Sequence, residues 1–116
     1  NESSKNMIEL VICNNDGMAE GAVASLQQAG YNKAGAHVVP VFGVDATDAG
    51  VEAIKAGKMT ATVKQDGDAM GEANLRFALN YLMNGTWIEG LDQYKLNDDG
   101  CSTYIPYSKI TVDSVQ

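Results

Sequence analysis

The sequence predicts an α/β fold, namely part of a doubly wound parallel sheet that is incomplete in this chain. Strand-like apolar runs alternate with helical repeats in the order β-α-β-α-β-α, the pattern of parallel strands joined by right-handed crossovers. The chain has 116 residues, 45% of them hydrophobic and 20% charged, which suits one packed core and argues against disorder. Three strands are few for such a sheet. Further strands are expected on the far side of the first one, and nothing in this sequence can supply them.

The first strand is Met7-Ile8-Glu9-Leu10-Val11-Ile12-Cys13, almost continuously apolar, as a strand covered on both faces would be. Glu9 is its exception. After the polar corner Asn14-Asn15-Asp16, the residues Met18, Ala22, Leu26 and Ala29 recur at helical spacing, and Gly30 offers a C-cap. The second strand is Val38-Val39-Pro40-Val41-Phe42-Gly43-Val44, with Pro40 near its start, where a missing ladder donor matters least. A helix then runs from Asp48 through Val51 and Ile54 to Gly57, with Lys55 and Lys58 near its negative end. Thr60-Ala61-Thr62-Val63 is a short third strand. The longest helix begins near Asp66 and stops at Gly85; its two apolar rows, Met70-Ala73-Phe77-Tyr81 and Leu75-Leu79-Leu82, predict burial on more than one side. Beyond it, Asn97-Asp98-Asp99-Gly100 signals a turn, and Thr103-Tyr104-Ile105 reads as a last short strand ended by Pro106.

Several function classes are excluded. A formal charge of −7 with eight scattered basic residues is wrong for phosphate neutralisation, so nucleic acid is not an expected partner. No apolar run reaches the roughly 20 residues of a membrane-spanning helix. A signal peptide or lipid-anchor cysteine, if there is one, would precede Asn1. Cys13 and Cys101 match no metal spacing and allow at most one bridge; Cys13 reads as a buried thiol. His37 stands alone in a loop, Trp87 reads as a packing residue, and no nucleophile, base and orienting acid occur together, so no enzyme is expected.

Each strand ends in an amide or a carboxylate: Asn15 after the first, Asp45 after the second, Gln65 after the third. In open α/β sheets the carboxyl ends of the strands face the ligand, so the three would share one rim. Such groups accept and donate to the hydroxyls of a neutral polyol and suit phosphate badly. Asn and Asp are also common helix N-caps, so each corner has a purely structural reading as well.

The segments from Val11 to Ala22 (Val-Ile-Cys-Asn-Asn-Asp-Gly-Met-Ala-Glu-Gly-Ala), Val39 to Ala46 (Val-Pro-Val-Phe-Gly-Val-Asp-Ala) and Thr62-Val63-Lys64-Gln65-Asp66 resemble, in order and spacing, the galactose/glucose-binding proteins of ABC sugar uptake. The resemblance continues through Tyr104-Ile105-Pro106-Tyr107 and covers nearly the whole chain. It implies the carboxy-terminal portion of a receptor with a type I periplasmic-binding-protein lobe, carrying only part of a monosaccharide site. The sugar contacts it implies here are Asn15, Asp45 and Gln65. Gln65 departs from the asparagine usual in the galactose/glucose branch and is similar to related pentose receptors. The resemblance further implies that Glu9 is a bidentate ligand to calcium, the other oxygens lying outside this chain; the alternative is a strand-start carboxylate that reaches solvent.

On this reading, residues 1–66 form part of the carboxy-terminal lobe, residues 67–103 cross toward the other lobe, and residues 104–116 return as a terminal strand and tail. The implied partners are the monosaccharide, an ABC permease, a chemoreceptor, and the remainder of the receptor or a second copy of this chain. The implied location is periplasmic or extracellular, with an upstream lipid anchor as one arrangement. One rival is the effector domain of a LacI-type transcription regulator, which shares the asparagine-aspartate corner. Another is a flavodoxin-like enzyme or response-regulator domain, against which a lone Asp16 without acidic partners speaks.

Overall fold

In the computed structural model, which describes residues 8–115, the alternating pattern becomes β1 (Val11–Ile12), α1 (Asp16–Gln28), β2 (Val41–Phe42), α2 (Asp48–Lys55), β3 (Ala61–Lys64), α3 (Gly67–Asn84) and β4 (Ser108–Thr111), followed by a 3-10 turn at Val112–Ser114. The strands lie in the order β1-β2-β3-β4. β1/β2 and β2/β3 are parallel and β3/β4 is antiparallel. The chain divides into two compact units: one comprises the residues up to Gln65 together with those from Ser108 onward, the other Asp66–Tyr107.

In the sheet unit, α1 and α2 pack on one face through Ala19, Val23, Val41, Ile54 and Met59, all buried, with Val11, Cys13, Leu26, Ile110 and Val115 half-buried around them. Small residues on α1 let it approach the sheet. Each helix begins where a polar side chain satisfies a free N–H: Asn15 Oδ1 accepts from Met18 N–H at 2.8 Å, and Thr47 Oγ1 accepts from Gly50 N–H at 3.1 Å. The turn between α1 and β2 is held by Asn32, whose side chain pairs with both backbone groups of Val39, donating at 2.8 Å and accepting at 2.7 Å.

β1 and β2 are shorter than the apolar runs that predict them, whereas β3 keeps the expected length one residue further along. β1 keeps only Val11–Ile12 of the expected run; Met7 lies outside the described residues. Among the described residues β1 pairs on one side alone, so Ile8, Leu10 and Ile12 are 65%, 49% and 75% exposed. Cys13 is half-buried and not enclosed, for the same reason; both cysteines are free thiols. The last strand is not Thr103-Tyr104-Ile105: Thr103 makes an isolated bridge to Leu96, and the strand begins after Pro106, where Ser108–Thr111 pairs residue for residue with β3. Proline cannot donate to a ladder, so pairing starts beyond it.

In the other unit, α3 begins under an Asp66 cap and ends at Gly85, whose φ of 74° is the left-handed C-cap that glycine adopts without strain. Its loop packs Phe77 edge-on to Tyr94 and stacks Tyr81 on Trp87 at 4.2 Å. The expectation that both apolar rows are buried is not met in this chain. Ala73 is the helix's one buried residue, while Leu75, Leu79, Leu82 and Met83 stay exposed, with no second layer over them among the described residues.

Candidate functional site

The carboxyl ends of the three parallel strands face the same edge of the sheet, and the three corners that follow them are stitched side by side. Asp16 N–H donates to the Val44 carbonyl at 2.8 Å, and Asp45 N–H donates to the Val63 carbonyl at 2.8 Å. The Asn15 corner therefore adjoins the Asp45 corner, which adjoins the end of β3 at Lys64, one residue before Gln65. The topology thus brings the corners that carry Asn15, Asp45 and Gln65 to one edge of the sheet.

The three differ in how they are held. Asn15 is half-buried and spends its Oδ1 on the α1 cap, so the capping role is real; among the described residues its amide nitrogen is not used in that cap. Asp45 is exposed, with a φ of 106°, and Ala46 follows at 52°. Two successive non-glycine residues on the positive side of φ are unusual, and a strained residue of this kind costs about 1–3 kcal/mol unless its surroundings hold it. Gln65 is exposed at the end of β3.

What holds the Asp45 corner is a residue the sequence did not single out as functional. Asp16 is fully buried. Its Oδ2 accepts from Thr47 N–H at 2.7 Å and from Thr47 Oγ1 at 3.1 Å, and its Oδ1 accepts from the Thr62 hydroxyl. Thr62, 1% exposed on β3, accepts in turn from Ala46 N–H at 3.3 Å. A buried carboxylate is costly unless its oxygens are satisfied, and here hydroxyl and amide donors satisfy both. Gly43 and Gly50 wall the carboxylate so closely that a methyl group on either would overlap it. Those two glycines, one at the end of a strand and one in the first turn of a helix, were the available signal that a backbone approaches something there.

Glu9 is exposed just before β1, so its carboxylate has the solvent access of the strand-start reading. Among the described residues no three His, Cys, Asp or Glu side chains gather into a metal cage. Glu9 can supply at most one carboxylate to an ion whose other ligands lie elsewhere. A separate groove of about 550 Å³ lies between α1 and α2, lined by Ala24, Ala49, Ala53 and Ala56 and by the polar side chains of Glu20, Gln27, Glu52 and Lys58.

A family model described as periplasmic binding protein domain matches residues 2–86. The chain is 33% identical over 113 residues to a D-galactose/methyl-galactoside binding periplasmic protein of Haemophilus influenzae, covering 97% of this chain and 31% of that protein. It is 39% identical over 69 residues to the ribose import binding protein of the same organism, covering 60% of this chain and 22% of that one. Among solved structures, an ABC transporter solute binding protein from Bacillus halodurans with bound myo-inositol matches with a TM-score of 0.68 and 34% identity, over 95% of this chain and 32% of that protein. The chain thus spans less than a third of the length of these relatives. No described helix is long and apolar enough to cross a membrane.

Proposed function

The chain belongs to the periplasmic binding protein family, and from that premise we propose that it forms one rim of the monosaccharide site of an ABC-transport solute receptor, with Asn15, Asp45 and Gln65 as its sugar contacts. The observation that carries this reading is the adjacency of the three corners at the carboxyl edge of parallel strands, with Asp45 held in an unfavourable backbone conformation. An exposed carboxylate there accepts from two hydroxyls of a sugar, the Gln65 amide donates and accepts, and Asn15, its Oδ1 engaged at the α1 cap, donates through its amide nitrogen.

A galactose- or glucose-like hexose is the proposed ligand, supported by the galactoside-binding relative that aligns along 97% of the chain. Gln65 would set the choice between hexose and smaller or cyclic polyols, since its longer arm moves the amide outward from the β3 end. The remainder of the receptor would enclose the sugar from the other side, and the closed form would be presented to the permease, and to a chemoreceptor where the receptor also serves chemotaxis. The receptor would act outside the cytoplasmic membrane, as its periplasmic relatives do. The transcription-regulator reading gains no support from these relatives.

The test is calorimetric titration of the full-length receptor with D-galactose, D-glucose, D-ribose and myo-inositol. Asp45→Ala should weaken binding of the preferred sugar by about 2–4 kcal/mol, because charge-assisted hydrogen bonds are lost and ligand hydroxyls are left unpaired. Unchanged affinity would remove Asp45 from the site. Calcium is a further part of the proposal, with Glu9 giving one bidentate carboxylate to the ion. Glu9→Gln should lower the melting temperature in calcium while sugar affinity stays nearly constant. A melting curve of the unmodified receptor that ignores calcium and chelator alike counts against the metal.

A further inference from the structure

Three consecutive backbone N–H groups leave the left-handed corner after β2, and each is tied down by a different partner. Asp45 N–H binds the Val63 carbonyl, Ala46 N–H binds the Thr62 hydroxyl, and Thr47 N–H binds the Asp16 carboxylate. Thr62 donates to the same carboxylate, so one buried anion and one hydroxyl fix two of the three. Asp16 is also the first residue of α1, directly after Asn15, and Thr62 sits on the strand that leads into Gln65. A single buried cluster therefore joins the backbones that carry all three rim residues. None of its side-chain oxygens lies on the rim itself: Asp16 is fully buried and Thr62 nearly so.

We propose that Asp16 and Thr62 are positioning residues for the sugar site: they lock the Asp45–Ala46 corner so that the Asp45 carboxylate stands ready for ligand hydroxyls before any sugar arrives. The inference rests on the reading of Asn15, Asp45 and Gln65 as sugar contacts. The chemistry requires an anion at position 16. Oδ2 receives two protons from Thr47 and Oδ1 receives the Thr62 proton, which leaves the Thr62 lone pairs facing Ala46 N–H. An amide in place of the carboxylate would aim a donor at one of these donors, reverse the Thr62 hydroxyl and leave part of the corner unsupported.

The experiment uses the full-length receptor, titrated in parallel with D-galactose, D-ribose and myo-inositol. Thr62→Val keeps the shape and the strand propensity but removes the hydroxyl; binding of the sugar the receptor prefers should weaken at least ~10-fold, and Thr62→Ser should recover it to within ~3-fold. If Thr62 acts through Asp45, its effect must vanish once position 45 has no side chain to present: in an Asp45→Gly background, which the φ of 106° admits without strain, Thr62→Val should cost less than ~2-fold more. A purely structural role would give the same loss in both backgrounds, and that result overturns the proposal. So does a folded Thr62→Val receptor with full affinity while Asp45→Gly is impaired; that outcome leaves the sugar-site reading standing. If neither Asp45→Gly nor Thr62→Val changes affinity, the site reading falls and takes this inference with it. Should Thr62→Val fail to fold, Asp16→Asn takes its place in the same cycle, and full affinity in a folded Asp16→Asn receptor is equally decisive against it.

Discussion

The two units of this chain use similar residues to opposite effect. In the sheet unit, Ile54, Val41 and Met59 are 2%, 0% and 3% exposed, and buried polar groups such as Asp16 and Asn32 are fully partnered. In the helical unit, Leu75, Leu79 and Leu82 are 60%, 48% and 79% exposed along one helix. Both have clear amphipathic patterns, so pattern alone does not make a core; a second layer does. The sheet unit has two helices over one face of its strands, whereas the exposed side of α3, like Ile12 at the open edge of β1, has no cover in the described residues. Each such side chain, once buried, contributes about 1.5–3 kcal/mol, which is the driving force for whatever completes these surfaces.

The strongest way to break this contrast is to study the chain alone. With one rim and no enclosure, the isolated chain should bind none of the four sugars at millimolar concentration and should self-associate through its β1 edge and α3. Sedimentation with calorimetry decides; a monodisperse monomer that binds sugar at micromolar affinity would end the contrast. A finer test places alanine in each unit. Ile54→Ala should cost about 2–5 kcal/mol of unfolding free energy in any context, because it empties a packed site. Leu82→Ala should change the isolated chain by no more than about 0.5 kcal/mol and the full-length receptor by more, if that face is covered there. Equal costs in both settings would mean that α3 faces solvent in the receptor too.

The smallest expected effect lies in the loop after α3. The Ser102 hydroxyl and the Cys101 and Ser102 amides, all donating to Asp99, hold its carboxyl below the usual range. A depressed carboxyl favours the ordered loop in full above the ordinary aspartate pKa of roughly 3.9, and the effect fades as pH falls through the lowered value. The amide resonances of Cys101 and Ser102 should therefore hold constant on acidification through the ordinary carboxylate range and move only below it. Asp99→Asn should abolish that titration.

Legibility followed the range of the interactions involved. The ends of α3 were plain because Asp66 and Gly85 act on their own turns. The rim was plain too, since the rule for strand ends needs only strand order. Asp16 was passed over as a lone acid because its partners are hydroxyls 31 and 46 positions away, where no local spacing points. β4 was missed because Ser108–Thr111 alternates weakly and becomes a strand only by pairing with β3. The positive φ of Asp45 was equally out of reach, since an aspartate after a strand announces a corner and not its handedness.

That handedness bears on any attempt to give such a receptor a new ligand. Positions 15 and 65 lie in backbone that most residues tolerate, although position 15 must still cap a helix. Position 45, at a φ of 106°, admits glycine freely, and aspartate or asparagine with modest strain, while branched and bulky side chains would have to drag the corner into another shape. A combinatorial library randomised at all three positions would thus draw on nearly the whole alphabet at one, a handful of capping residues at another, and three letters at the place where we propose that a charge meets the ligand's hydroxyls.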